Sequence, residues 1–159
     1  MASLNDAIDM LLECVCTRLA EAGRPVCECY QSIGQPIYQQ CCRCSGGNGT
    51  GALIGGLENM YPVNQDLLQV SRVESCRRGA WGADVALYLS RCHPTISSGG
   101  TIDTTKFSEA AHSFNDDAVD VRKALTCCDV RLMWRSIGVE SDPAGGCSYL
   151  VARVTIAVD

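Results

Sequence analysis

Trp81-Gly82-Ala83-Asp84-Val85-Ala86-Leu87-Tyr88-Leu89-Ser90-Arg91-Cys92 is the stretch on which the fold class turns. Trp81, Ala83, Val85, Leu87 and Leu89 recur at a period of two, with Asp84, Tyr88 and Ser90 between them. That alternation predicts a strand over 81–92 with one face on a core. After the loop of His93-Pro94 and Ser97-Ser98-Gly99-Gly100, the period changes. Phe107, Ala111, Phe114, Ala118, Val121 and Leu125 stand three or four apart, which predicts a helix over about 103–126. Asp103 or Thr104 would cap it, and Cys127-Cys128-Asp129 ends it. Asp116, Asp117 and Asp120 read as its solvated face. Residues 130–137 alternate again, Val130, Leu132 and Trp134 against Arg131, Met133 and Arg135. Asp142-Pro143-Ala144-Gly145-Gly146 is a turn, and the β-branched run 148–158 closes the chain.

Upstream, Leu4, Ile8, Leu11, Val15 and Leu19 form one stripe of a helix over 3–22. Ser3 and Asp6 fit a capping box, and Gly23 and Pro25 stop the helix. Residues 26–32 alternate as a strand. Residues 33–51 read as a loop, richest in glycine at Ser45–Gly51. Residues 52–61 are extended and apolar, and 63–79 are polar. The order predicts an α+β fold: an antiparallel sheet of about five strands, both helices packed on one face, and a Cys/Gly-rich insertion at about 27–51. Residues 1–159 are expected to form a single domain.

The 159 residues carry 13 Lys+Arg and 18 Asp+Glu, a formal charge of −5, with 47% apolar residues. A disordered tail is excluded by that balance. A nucleic-acid binder working by charge alone is disfavoured, because such affinity comes from Lys and Arg neutralising phosphates. The N-terminus lacks a basic stretch followed by an apolar run, so no secretory signal is expected, and no segment is long and apolar enough to predict a membrane span.

The 12 cysteines are the unusual feature. Cys27-x-Cys29, followed by Cys41-x2-Cys44, offers four thiolates, and four thiolates satisfy a tetrahedral structural zinc. Cys27, Cys29, Cys41 and Cys44 are therefore candidate metal ligands, with Cys42 a spare for Cys41 and zinc the only cofactor implied. The same cysteines also read as disulfides or as inert thiols. Cys14 and Cys16 stand about 200° apart on their helix, so they cannot face one partner. Cys76, Cys92, Cys127, Cys128 and Cys147 sit at element ends, where covalent staples or small buried hydrophobes would sit.

Enzyme signatures are missing from the sequence. No nucleophile elbow, Walker or dinucleotide-binding pattern occurs, and the glycine run lacks the Lys-Ser/Thr of a P-loop. Cys92 and His93 could form a Cys/His pair, but sequence neighbours rarely present side chains to each other, and His112 lies off the apolar stripe, where solvent is expected. Cys76 beside Arg77 and Arg78 is the one candidate for a reactive thiol. Arg72, Arg77 and Arg78 cluster in a polar loop, while Arg131, Arg135 and Arg153 alternate on strands, facing solvent or an acidic neighbour.

Three sets of residues carry a resemblance. The first is Gly51-Ala52-Leu53-Ile54 to Tyr61-Pro62. The second is Trp81-Gly82-Ala83-Asp84-Val85-Ala86-Leu87 to Ser90-Arg91-Cys92-His93-Pro94. The third is Arg122-Lys123-Ala124-Leu125-Thr126-Cys127-Cys128 with Gly145-Gly146-Cys147. With the upstream Cys-x-Cys and Cys-x2-Cys they resemble small head–tail connector proteins of long-tailed phages infecting actinobacteria, and the order of elements is similar to the tail terminator fold. The resemblance implies a non-enzymatic virion protein at the head–tail junction, assembled in the host cytoplasm. It further implies a homo-oligomeric ring, typically a hexamer, that caps the tail tube and joins the head connector. DNA would pass through its lumen without sequence-specific contacts. A head-closure (stopper) or adaptor protein is the nearest alternative, and a small zinc-binding regulatory or interaction module is the alternative from another class.

Overall fold

The computed structural model describes residues 3–33, 41–42, 50–70, 80–142 and 146–158. Its elements are α1 (Leu4–Glu21), β1 (Glu28–Gln31), β2 (Ala52–Pro62), β3 (Trp81–Cys92), α2 (Thr104–Cys127), β4 (Leu132–Asp142) and β5 (Cys147–Val158). The five strands form one sheet in the order β1-β2-β3-β5-β4. Both helices cover the same face, so the α+β fold expected from the periodicities is the one observed.

Local rules account for the helices. Ser3 accepts the Asp6 N–H while Asp6 accepts the Ser3 N–H, a complete capping box. Asp103 caps α2 by accepting the N–H groups of Thr105 and Lys106. Ile8, Leu11, Val15 and Leu19 of the predicted stripe are buried, joined by Ala7 and Leu12. They pack on Leu53, Val85, Leu87, Leu89, Leu150, Ala152, Val154 and Ile156, and from α2 on Val121, Ala124 and Leu125. Gly55 lets α1 approach the sheet, since a Cβ there would meet Leu87, Ile8 and Leu12 at 3.0–3.2 Å.

The sheet departs from expectation in two places. β1 runs parallel to β2, pairing Glu28 with Ala52 through Gln31 with Gly55. A parallel neighbour requires a long return connection, and residues 32–51 supply it. β4 continues to Asp142 rather than ending near 137, and its alternation is broken by a register shift between Trp134 and Ser136. That bulge is why the apolar/polar pattern faded there while the strand went on.

α2 departs in the burial of its two halves. Its C-terminal half is core, but Phe107 and Phe114 are only half-buried and Ala111 is exposed. Of the three aspartates expected in solvent, Asp116 is exposed, but Asp117 and Asp120 are not there: they are 1% and 8% exposed.

Candidate functional site

The site is built where β3 ends, β5 begins and the N-terminal half of α2 passes over them. Arg91, the penultimate residue of β3, points to the helix face and is itself buried. Its Nε donates to Asp117 Oδ2 at 2.8 Å and its Nη2 to Asp117 Oδ1 at 3.1 Å. The remaining N–H groups reach the carbonyls of Thr50 at 2.7 Å, Pro25 at 3.3 Å and Arg24 at 2.8 Å. One guanidinium thus ties β3 to α2, to the segment leaving α1 and to the approach to β2. Such a fork suits arginine and no other side chain.

Arg24 extends the network. It donates to Asp117 Oδ1 at 2.8 Å and also to Asp120, which accepts from Arg18 at 3.1 Å as well. Hydrogen bonding to Asp117 raises the Arg24 pKa against the opposing effect of burial, with the Asp117 and Asp120 charges assisting. Burial acts to raise the Asp120 carboxyl, and the hydrogen bonds from Arg18 and Arg24 outweigh it and hold the group below the usual carboxylate range.

This network floors a cleft of about 660 Å³ whose walls include Phe107, Ala110, Ala111, Phe114, His93, Pro94 and Val139. The His93 ring stands edge-on to Phe107 with centroids 5.5 Å apart. His93 Nδ1 lies 2.6 Å from the Pro94 carbonyl oxygen, the position of a donor. Val139 is 65% exposed at the open side of the cleft. The exposed half of α2 is therefore apolar on the side that faces β4.

Disulfides close the same end of the molecule. Cys41 bonds Cys147 and Cys42 bonds Cys92. Cys92 and Cys147 are register partners across β3 and β5, so two adjacent residues are stapled to two facing ones. Cys14 bonds Cys128, joining α1 to the end of α2, and Cys16 bonds Cys29, joining α1 to β1. The two cysteines of the first helix do turn to different partners. Cys27 is also disulfide-bonded, and Cys127 is free and exposed.

The four residues proposed for zinc are thus placed as follows. Cys29 is bonded to Cys16, Cys41 to Cys147, Cys27 is in a disulfide, and Cys44 lies outside the described residues. As bonded, the described residues include no group of three His, Cys, Asp or Glu side chains arranged to hold a metal. Cys76, Arg77 and Arg78 also lie outside the described residues.

On the sheet face away from the helices, the strand arginines are engaged. Arg135 donates to Thr155 Oγ1 at 2.7 Å and to the Tyr61 hydroxyl at 2.6 Å, and both hydroxyls donate to Asp84. Arg153 bridges Glu58 at 3.2 Å and Glu140 at 3.5 Å. Burial opposes the Arg153 charge, and its hydrogen bond to Glu58 overcomes this and raises its pKa. Burial, with the Glu58 charge, raises the Tyr88 phenol.

Sequence reasoning missed the Arg24–Arg91–Asp117–Asp120 network. Its signal lay in the spacing: 117, 120, 121, 124 and 125 lie on one helical face, so two acids stood on the stripe that carries Val121 and Leu125. An acid on a core stripe implies a buried cation.

No protein family matches the chain, and no curated protein matches it. Among solved structures, a chain from the virion of a native gene transfer agent particle is similar over 98% of this chain and 94% of its own length. The TM-score is 0.44 and the identity 8%. A likeness of that size carries no functional meaning. No described helix is long and apolar enough to cross a membrane.

Proposed function

We propose that the chain is a structural protein of a phage virion, and within the virion the tail terminator of the head–tail connector. Its copies form a ring, a hexamer by the resemblance, that caps the tail tube and meets the head-closure protein while DNA passes through the lumen. It works by assembly rather than catalysis.

The observation that carries this reading is the open edge of the sheet. Among the described residues β4 pairs with β5 alone, in unbroken register from Ser136–Arg153 to Asp142–Cys147. Monomeric proteins blunt such edges with short strands, prolines or inward charges, because a long unpaired edge recruits another chain. β4 is bulged at Trp134/Ser136, but the seven residues beyond the bulge, 136–142, leave a regular open edge beside an apolar cleft, which offers a neighbouring subunit backbone to pair with and a surface to pack on. Three further features support the reading. Two substantial helices on a five-stranded sheet fit the terminator better than a β-barrel stopper or a helical adaptor. The disulfides suit a protein whose working life is spent outside a reducing cytosol, as a virion's is. The charge of −5 would let DNA slide past acidic groups in a lumen.

The test is native mass, measured on the oxidised chain alone and after mixing with isolated tail tubes. The expected result is a ring-sized species in one or both, lost in Val139→Lys, which places a charge on the exposed edge region while leaving the fold intact. A chain that is monomeric at every concentration and does not bind tube ends overturns the assignment.

A further inference from the structure

We infer that Cys41, Cys42, Cys92 and Cys147 form a convertible four-sulfur site: it holds one zinc ion as four thiolates when the chain is reduced and becomes two disulfides when it is oxidised. The observation is their convergence. Cys92 and Cys147 face each other across β3 and β5. The His93 N–H donates to the Gly146 carbonyl at 2.8 Å, one position further out, which makes Cys92/Cys147 a non-hydrogen-bonded pair. In such pairs the side chains lie closest. Cys41 and Cys42 sit in a bend rather than a strand, so adjacent side chains reach the same place instead of opposite faces. Their sulfurs lie 3.9 Å apart. A tetrahedron with zinc–sulfur bonds of about 2.3 Å has an edge of roughly 3.8 Å. Cα separations of 4.5 Å for Cys42/Cys92 and 5.8 Å for Cys41/Cys147 bring the other two sulfurs into the same volume.

Burial divides the four. Cys41 and Cys147 are buried, at 3% and 4% exposure, while Cys42 and Cys92 are exposed. The exposed pair gives metal and oxidant a way in, and the buried pair holds the ion away from water. Four thiolates favour zinc over harder cations.

Only the order of events rests on the assembly reading above. A chain made in a reducing cytosol meets zinc as thiols, releasing one proton per thiol, and its folding is coupled to the metal. Once outside, an oxidant completes the change. Two molecules of a small disulfide, such as oxidised glutathione, accept four electrons from the four cysteine thiolates. Two cysteine disulfides form, four glutathione thiolates leave and take up protons, and the zinc ion is released.

The test uses the full chain purified under reductant without chelator. Native mass spectrometry and competition with a chromophoric zinc chelator then read metal per chain. One zinc is expected in the parent and in Cys29→Ser. In Cys92→Ser and Cys147→Ser the apparent zinc affinity should fall by roughly tenfold or more, since a ligand is lost from a closed structural site. Cys92 is exposed, so that variant keeps the test valid if Cys147→Ser fails to fold. Adding oxidised glutathione should release the zinc in step with the loss of the thiols of Cys41, Cys42, Cys92 and Cys147, followed residue by residue by alkylation and peptide mass mapping because the other cysteines oxidise too. A zinc-free reduced parent overturns the proposal. So does zinc that survives Cys92→Ser but is lost in Cys29→Ser, which would place the ion on the Cys27–Cys44 set. Neither result bears on ring assembly, which is read on the oxidised chain.

Discussion

Asp117→Ala tests whether the buried ion network organises this end of the protein. Asp117 accepts three of the network's hydrogen bonds, two from Arg91 and one from Arg24. Removing it leaves Arg91, 8% exposed, without a counter-charge. Breaking a buried pair by deleting one partner costs about 3–5 kcal/mol. Arg91 keeps its carbonyl partners and Arg24 keeps Asp120, so the lower part of that range is expected. For a chain of this size each kcal/mol moves Tm by about 2–4 °C, giving a fall of roughly 10 °C. The assay is thermal and urea unfolding of the oxidised protein followed by circular dichroism. Asp117→Asn keeps an acceptor and the shape, and should lose about half as much. Asp116→Ala, one residue away on the exposed side, should stay within about 0.5 kcal/mol. If Asp117→Ala proves no worse than Asp116→Ala, the network is incidental and the reasoning fails.

Other expectations follow from the same geometry. Asp120 has a depressed native pKa, so its contribution is full above the ordinary carboxylate range and is lost as pH falls below about 4 toward the native value. Asp120→Asn should flatten that acid-side loss in a pH series of urea midpoints. Gly51 has φ +74° and a Cβ there would lie 1.7 Å from the Ser90 carbonyl oxygen, so Gly51→Ala should destabilise by at least ~2 kcal/mol. Replacing Cys14 and Cys128 together by alanine opens a closure spanning 114 residues. Chain entropy puts that near 4–5 kcal/mol, and about 2–4 kcal/mol is expected in the unfolding midpoint because the other staples already shorten the loop.

What could be read in advance divides along physical lines. Regular elements were legible because periodicity is a local property: Trp81, Ala83, Val85, Leu87 and Leu89 recur at every second position of a strand that is in fact buried on both faces, and the Ser3/Asp6 cap announces its helix. Parallel pairing of β1 was not legible, since Glu28–Gln31 would alternate identically in either direction and the choice is made by the connection. The pairing of the cysteines was not legible for a related reason. Cys27-x-Cys29 and Cys41-x2-Cys44 are neighbours in sequence, but Cys29 turns to α1 and Cys41 to the start of β5. Spacing reports proximity along the chain, whereas sulfur pairing is decided by topology. The aspartates of α2 were misread because charge was weighed above position: Asp117 and Asp120 lay on the core stripe, and three arginines from elsewhere in the chain neutralise them.

The staples then raise a question of purpose. A chain of 159 residues buries enough surface to fold without covalent help, unlike the small secreted domains in which disulfides are obligatory. The four described bonds avoid the centre of the apolar core. Cys16–Cys29 holds an edge strand to α1, Cys14–Cys128 holds the two helices together, and the Cys41/Cys42 pair clamps the end of β3 and β5. Those are the places where a sheet opens first, its edge, its helical cover and its strand ends. Bonds there add to global stability and also suppress local opening, which governs survival against proteases when cleavage is slow. Protection of that kind counts most for a protein that must last where no chaperone can refold it.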